Sequence, residues 1–261
     1  MHSPFVFFFL LFAMILLTDD APGQSQAVAS GLYALDDAEV ITRKSGNRMP
    51  MLLGSSRDFE YLEMHATSLV PGASPHAPHV HDDIEEVIFV KDGQLEVSIE
   101  NKKHILGSGS IALIMPGDRH GITNVNSEEV LYYTLRYRSR AEKEGLRGKE
   151  AGGSLVVHWE DVPFRELEKG GVRSFFERPT AMCERFEMHV TTLKAGLQSH
   201  PPHQHRAGEI ILMVEGISQE QINEKFYQGE AGDFYFLESE SEHTIKNIGK
   251  EACTYFAFQF N

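Results

Sequence analysis

The sequence predicts an all-β protein made of two tandem copies of one barrel or sandwich. Short runs rich in Val, Ile, Phe, Tyr and Leu recur at even spacing between turn signals, a pattern typical of sandwiches and barrels. No segment shows a long helical period. The 261 residues are 41% hydrophobic and 10% aromatic, which is enough for a packed core in one large domain or two small ones.

An internal repeat predicts the architecture. Residues 60–81 read EYLEMHATSLVPGASPHAPHVH, residues 184–205 read ERFEMHVTTLKAGLQSHPPHQH, and 11 of these 22 positions are identical at an offset of 124. Self-similarity at one fixed offset indicates a duplicated structural unit. We therefore predict a first domain over 28–138, a linker over 139–153 and a second domain over 154–261.

The N-terminus predicts a signal peptide. The apolar run from Phe5 to Leu17 has 13 residues, which is too short for a spanning helix of about 20 residues but suits a secretory core of about 7–15. Ala-Pro-Gly at 21–23 offers a cleavage site, although no Lys or Arg precedes the run. We expect removal of residues 1–23 and a secreted or periplasmic protein with no membrane segment in its mature form.

The strand-like runs follow the same order in both copies. In the first copy they are Val87–Val90, Leu95–Ile99, Ile111–Met115 and Val130–Tyr137. In the second copy they are Ile210–Val214, Phe234–Leu237 and Thr254–Phe260. The charged and glycine-rich residues 139–153 between the copies predict a surface connection, with one short helix within Ala141–Lys149.

Each copy carries histidines and a carboxylate at a spacing that suits a metal ion. His79 and His81 are two residues apart, so on a strand both imidazoles point to one face, and the carboxylate of Glu86 and a third imidazole, that of His120, follow. Glu85 is the alternative carboxylate. The second copy repeats the set as His203, His205, Glu209 and His243. Imidazole with carboxylate suits divalent manganese, iron, nickel, zinc or cobalt, and four protein ligands leave two octahedral positions open for chemistry.

These motifs resemble the cupin superfamily, and the duplication resembles a bicupin. The family's first motif is Gly, a spacer, His-x-His, three or four residues, Glu, six residues and Gly. It is matched by Gly72, His79, His81, Glu86 and Gly93, and again by Gly196, His203, His205, Glu209 and Gly216. The second motif ends in His-x-x-x-Asn, matched by His120 with Asn124 and by His243 with Asn247. The second copy lacks that motif's proline and reads LESESEH.

The resemblance covers residues from about 32 to 261. It implies two tandem cupin double-stranded β-helix (jelly-roll) barrels, each holding one divalent transition metal ion on its three histidines and one glutamate.

Four further histidines recur in register. His65 and His189 lie in the repeated Glu-Met-His, where they could touch a substrate or orient a metal ligand. His76 and His200 open the two histidine clusters, and they could hydrogen-bond a ligand or brace the loop. The family motif requires none of the four, and the sequence assigns no residue a catalytic role.

The resemblance says less about the reaction, because one fold hosts many chemistries. We expect a metal-dependent enzyme acting on a small organic substrate, with an oxygen-dependent dioxygenase similar to the quercetinases as the leading hypothesis. The alternatives are a metal-dependent hydrolase, isomerase or decarboxylase, including ones similar to the longer oxalate bicupins or to the ureidoglycine aminohydrolases. A non-catalytic bicupin, similar to the seed globulins or acting as an exported metabolite sensor, is the third hypothesis.

Charge and cysteine content bear on partners and stability. The formal net charge of −14 repels phosphate backbones, so we expect no nucleic-acid partner. Cupins often pair through exposed strand edges, so a homodimer, or a two-barrel monomer that mimics one, is expected. Cys183 and Cys253 both lie in strand-like runs, and a disulfide and two buried thiols stay open alternatives.

Overall fold

The fold is nearly all β, as predicted. The computed structural model describes residues 26–261, so the predicted signal peptide over 1–23 lies outside the described residues. Within the described part, no helix has the length and apolar character needed to cross a membrane. The one α-helix found there, α1 (Gly145–Glu150), falls in the predicted linker.

The strands match the predicted runs and add others, both short and long. Before α1 the strands are β1 (Gly31–Tyr33), β2 (Ile41–Arg43), β3 (Gly46–Gly54), β4 (Phe59–Leu69), β5 (Glu85–Asp92), β6 (Gln94–Ile99), β7 (Lys102–Gly107), β8 (Ile111–Ile114), β9 (His120–Thr123) and β10 (Val130–Ser139).

After α1 the strands are β11 (Leu155–Val157), β12 (Arg165–Leu167), β13 (Gly170–Arg178), β14 (Phe186–Leu193), β15 (Gly208–Glu215), β16 (Ile217–Ile222), β17 (Lys225–Glu230), β18 (Phe234–Leu237), β19 (His243–Asn247) and β20 (Cys253–Phe260), with a 3-10 turn at Trp159–Asp161.

Each copy folds into a seven-stranded and a three-stranded antiparallel sheet. The first copy has the orders β11-β8-β5-β10-β4-β3-β2 and β7-β6-β9, and the second has β1-β18-β15-β20-β14-β13-β12 and β17-β16-β19. Apolar side chains from both sheets of a copy form one core, for example Ile88 with Val97 and Ile211 with Ile245. The sheets face each other without closing into a barrel, which is the jelly-roll arrangement.

The two seven-stranded sheets pack back to back and join the copies. Their facing side chains form the largest core cluster, which takes in Val87 and Phe89 from the first copy and Phe186 and Phe256 from the second. The rings of Phe89 and Phe256 meet with centroids 4.7 Å apart. Aromatic pairs at this distance add to the stabilisation that burial provides. The two copies are therefore held together by a shared apolar core between their seven-stranded sheets.

Two short strands exchange between the copies. β1 lies within the segment 28–138 but pairs with β18 of the second sheet. β11 lies within the segment 154–261 but pairs with β8 of the first sheet. The duplicated segments and the sheets therefore do not have the same boundaries, and each sheet depends on a strand from the other half of the chain.

Strand alternation separates the roles of Glu85 and Glu86. Successive side chains on β5 point to opposite faces, so Glu86 shares the inner face with Ile88 and Glu85 shares the inter-copy face with Val87. The buried Glu85 carboxylate accepts hydrogen bonds from the Thr180 hydroxyl at 2.9 Å and the Met182 N–H at 3.0 Å. Glu85 therefore connects the two copies and does not belong to the histidine cluster.

The two cysteines are buried free thiols. Cys183 lies in the core between the copies and Cys253 in the core of the second jelly roll. Of the two alternatives that the sequence leaves open, the structure has the pair of separate thiols.

Candidate metal centres

The first centre forms where the loop before β5 meets β9. His79 and His120 make a two-way backbone bridge with N–H to carbonyl distances of 2.9 Å, which brings the loop histidines onto the end of β9. The segment with His79 and His81 is a single β-bridge within a loop, so the predicted regular strand is absent there. One ring nitrogen from each of His79, His81 and His120 lies within 4.8 Å of the others.

The carboxylate of Glu86 enters this cluster from the inner face of β5. Its Oε2 lies 3.6 Å from His81 Nε2, and its Oε1 lies 3.6 Å from His120 Nε2. Burial raises the pKa of Glu86, but the nearby His81 imidazole and the charge of Arg136 lower it by more, so its pKa lies well below the ordinary value. Glu86 is therefore an ionised carboxylate facing two imidazoles.

The second centre has the same construction. His203 bridges to His243 through backbone hydrogen bonds of 2.8 and 3.1 Å, and the ring nitrogens of His203, His205 and His243 lie within 4.8 Å of one another. Glu209 Oε2 lies 3.1 Å from His205 Nε2 and 3.3 Å from His243 Nε2. Burial raises the pKa of Glu209, but its bonds with His205 and His243 bring it down to about 2.

Backbone carbonyls hold three of these imidazoles in the tautomer that a metal needs. A carbonyl oxygen only accepts, so His120 Nδ1–H donates to Asp118 O at 3.0 Å and His243 Nδ1–H donates to Ser241 O at 2.9 Å. His205 Nδ1–H likewise donates to Ala207 O at 2.8 Å. Each Nε2 then carries a lone pair that points toward its cluster, which is the usual arrangement for a metal-binding histidine.

Buried atoms without partners show that the donor set fits a divalent cation. Glu86 Oε1 and His120 Nε2 are buried, and neither has a hydrogen-bond partner among residues 26–261. Buried polar groups are normally satisfied, and an ion between these two atoms would satisfy both. Burial lowers the pKa of His79 to about 4, and its neighbouring histidines add to this, so it is neutral at pH 7 and available as a ligand.

The two centres differ most in the space beside them. A cavity of about 620 Å³ opens onto the second centre and has His203, Glu209 and His243 in its wall. The corresponding space in the first copy is about 80 Å³ and is lined by Arg48, His76 and Arg136, among others. Organic ligands in proteins occupy cavities of roughly 300–1,000 Å³, so the cavity at the second centre has room for one and the space of about 80 Å³ does not.

The repeated Glu-Met-His positions occupy the walls of both spaces. His189 lines the large cavity, and its Nδ1 lies 2.7 Å from Glu187 Oε1. Burial lowers the pKa of His189, but the bond with Glu187 outweighs it, so the net direction is upward. His65 makes the matching contact with Glu63 at 3.1 Å, yet burial leaves its pKa below the ordinary value.

The remaining histidine pair, His76 and His200, stacks on histidines of the two clusters. The ring of His76 meets His79 edge to face at 4.2 Å, and the ring of His200 meets His203 in the same way at 4.1 Å. His200 also lines the large cavity, where its Nδ1–H donates to Pro201 O at 3.0 Å. His200 is therefore within reach of a molecule in that cavity, while it also supports the position of His203.

Two arginines near the first centre were missed by the sequence reasoning. Arg48 on β3 forms an ion pair with Glu63, and Arg136 on β10 forms one with Glu86. Neither belongs to the histidine motifs or to the repeated segment at 60–81. A comparison of the charged residues on equivalent strands of the two copies would have marked them, because the second copy has no arginine at either position.

Comparison with known proteins agrees with the duplicated fold. The family model described as "Cupin domain" matches residues 66–135 and 189–258, which together are more than half of the chain. The pectin degradation protein KdgF of Dickeya dadantii is 33% identical over 58 residues, which are 22% of this chain and 53% of that protein. The matched stretch therefore spans about half the length of that curated relative.

Solved structures share the whole two-domain arrangement. The protein Ylba from E. coli superposes with a TM-score of 0.69 at 13% identity, covering 92% of this chain and 95% of its own. The oxalate decarboxylase of Lactobacillus farciminis, solved as a formate complex, gives a TM-score of 0.68 at 16% identity, covering 91% of this chain and 88% of its own. At these identities the likeness concerns the fold.

Proposed function

The chain belongs to the cupin family, with two cupin domains, and we propose that it is a metal-dependent enzyme acting on a small organic molecule. One observation carries this proposal: the cavity of about 620 Å³ has three of the four ligand residues of the second centre in its wall, His203, Glu209 and His243. A molecule bound there would contact an ion on these side chains, since open metal positions serve catalysis and closed ones serve structure.

The eight histidine and glutamate residues of the two centres would hold one divalent ion in each domain. Such an ion acts as a Lewis acid on a hydroxyl, carbonyl or carboxylate oxygen of the substrate. Manganese, iron, nickel, zinc and cobalt all suit imidazole with carboxylate, and metal analysis of the purified protein would select among them.

The wall of the large cavity favours a molecule with an apolar body and a polar group at the metal. Val172, Ile211, Ile245 and Tyr255 line one part of it. Arg165 lies in the lining too, on the exposed strand β12. An apolar surface with few polar groups is the usual composition of an organic-ligand site, and a cation beside it favours a substrate with a carboxylate or a phenolate.

His189 supplies an acid–base group to the same cavity. Its Nδ1 is held by Glu187, so one imidazole edge is fixed and the ring keeps one orientation. The Glu187 carboxylate raises the pKa of His189 above its ordinary value, and a histidine positioned in this way can exchange a proton with a bound molecule, as general acid–base catalysis needs. This favours chemistry with proton transfer, as in isomerisation, hydrolysis or decarboxylation.

The oxygen-dependent reaction stays as a second candidate, because the apolar wall would also accommodate a phenolic ring such as a quercetinase substrate. The test is to load metal-free protein with each metal in turn and to measure oxygen uptake and substrate loss on panels of phenols and small carboxylates. We expect turnover that requires metal and that is lost in His243→Ala. His120→Ala is the matched control in the first domain. Full metal loading with no turnover on any substrate would favour a binding protein.

Export and self-association remain proposals. We propose that residues 1–23 direct the chain to a secreted or periplasmic location, on the strength of the 13-residue apolar run. N-terminal sequencing of the protein from its native host would find a start near residue 24 if this is correct. The packing of two seven-stranded sheets within one chain favours a monomer that mimics a dimer, which light scattering would distinguish from a homodimer.

A further inference from the structure

The strand registers identify equivalent positions in the two domains. Arg136 pairs with Glu86 across β10 and β5, and Gln259 pairs with Glu209 across β20 and β15. Gln259 is therefore the counterpart of Arg136.

The same reasoning gives the counterpart of Arg48. Arg48 pairs with Thr67 across β3 and β4, and Val172 pairs with Thr191 across β13 and β14. Two guanidinium groups in the first domain thus correspond to an isopropyl group and a neutral amide in the second.

Both arginines are held in place by buried carboxylates. Arg48 forms an ion pair with Glu63, and Arg136 bonds Glu86 and lies 3.9 Å from Glu63 Oε2. The arginine side chains are only 24% and 20% exposed. Burial raises the pKa of Glu63, but its bonds with His65 and Tyr61 and the charge of Arg136 lower it to about 2, so it stays ionised across the working range.

The space left beside these arginines accounts for the difference between the centres. In the first domain, Arg48 and Arg136 line a cavity of about 80 Å³. In the second domain, Val172 and Gln259 line the cavity of about 620 Å³. Breaking a buried ion pair by moving one partner away is costly, so the bonds with Glu63 and Glu86 favour both arginines in this space.

We propose that Arg48 and Arg136 close the first metal centre to organic ligands, so that only the second centre accepts a bidentate oxygen ligand such as a catecholate. Residues 48 and 136, with their counterparts 172 and 259, are thus the specificity-determining positions of the duplicated fold. This inference rests on the proposed function, because it requires metal at both centres.

The test uses the cobalt-loaded protein and 4-nitrocatechol, whose visible absorption shifts when both oxygens bind a metal ion. Wild-type protein is titrated, and metal content is measured on the same samples. We expect about two metal ions but about one bound catechol per chain. His243→Ala removes that binding, and His120→Ala leaves it.

Exchanging the residues between domains provides the decisive variants. Arg48→Val with Arg136→Gln should raise the catechol stoichiometry to about two per chain, and Val172→Arg with Gln259→Arg should lower it to near zero, each with metal content unchanged. The single variants Arg136→Gln and Gln259→Arg make smaller changes to the charge of each site. If a double variant does not fold, the single variants should change the catechol stoichiometry in the same directions as the double variants.

The catechol and metal stoichiometries separate failure of this inference from failure of the proposed function. This inference is overturned, and the proposed function is left intact, if wild-type protein binds two catechols on two metal ions. The same holds if catechol binding survives in His243→Ala and disappears in His120→Ala. Folded exchange variants that leave the stoichiometry at one also overturn it. Wild-type protein that binds no metal contradicts the proposed function itself.

Discussion

Arg136 and Gln259 occupy the same position in two copies of one sheet, and they give the two buried carboxylates different neighbours. Arg136 donates to Glu86 Oε2, so Glu86 has a permanent cation beside it in addition to two imidazoles. The Glu209 carboxylate instead lies beside two imidazoles, with Oε2 3.1 Å from His205 Nε2 and 3.3 Å from His243 Nε2. Because an arginine cannot lose its charge in a protein, the two centres share their ligands but differ in electrostatics.

The two centres should bind metal independently. Replacing His79 and His81 by Ala removes two of the four ligands of the first centre, so metal content should fall from about two ions per chain to about one. Replacing His203 and His205 by Ala is the matched change in the second domain and should have the same effect. Inductively coupled plasma mass spectrometry measures both. Unchanged metal content in the first variant would contradict the assignment of the first centre.

The second centre should lose metal at a higher pH than the first. The hydrogen bond with Glu209 raises the pKa of His205 above its ordinary value despite burial, whereas burial lowers the pKa of His79 to about 4 and that of His120. Protons compete with metal for imidazole, so the site whose histidine protonates first weakens first as pH falls.

The single-centre variants described above separate the two pH profiles. Competition titrations of each variant between roughly pH 8 and pH 5 should show a decline that begins nearer neutrality for the second centre. The same onset in both variants would mean that Glu209 does not set the proton affinity of His205.

The two repeated Glu-Met-His histidines should titrate in opposite directions from the ordinary imidazole value. Glu187 raises the pKa of His189 against the effect of burial, while burial lowers that of His65. In Glu187→Gln the carboxylate is gone, so the pKa of His189 should fall. Imidazole resonances in NMR measure this, with Glu63→Gln as the matched variant. A pKa of His189 that does not change would show that Glu187 only positions the ring.

Much of the fold, and the grouping of the histidines with a glutamate in each copy, could be predicted from the sequence, because both depend on short-range patterns. Short runs of β-branched, aromatic and aliphatic residues between turn signals predict the strands, and a conspicuous repeat predicts the duplication. The family spacing favours Glu86 over Glu85, and the structure has the physical reason: adjacent residues on β5 face opposite sides, one the histidines and the other Thr180.

The features that could not be predicted depend on sheet register and on short segments. β1 and β11 have three residues each, too few for a periodic signal, so their exchange between the sheets has no counterpart in the sequence pattern. Arg48 and Arg136 approach the first centre from strands that are neither adjacent in sequence nor part of a motif. The difference in cavity volume follows from such pairings and was therefore not foreseen.

Glu220 on β16 is a buried acid of the second domain that forms no ion pair within the described residues, and among its neighbours the Thr244 backbone lowers its pKa. Neither carboxylate oxygen has a hydrogen-bond partner in the described part of the chain. Burial raises its pKa well above the ordinary value of 4.5, and the Glu209 carboxylate raises it further. Glu220 pairs with Ile245 in the second domain, and Val97 pairs with Ile122 at the equivalent position of the first domain. The duplicated fold therefore accepts valine at this position.

Glu220→Val should stabilise the metal-free protein by about 1–3 kcal/mol at neutral pH, the usual penalty of a buried unsatisfied polar group. Below pH 4.5 Glu220 is protonated in the folded and the unfolded chain. As pH rises above 4.5, the unfolded chain releases this proton first, so the wild type loses free energy of unfolding while the variant does not. The advantage of the variant should therefore grow with pH, as measured by urea unfolding near pH 5 and pH 7.5. Glu220→Gln serves as a control of similar size without charge. An advantage that does not vary with pH would show that Glu220 is ionised in the folded protein with its ordinary affinity for protons.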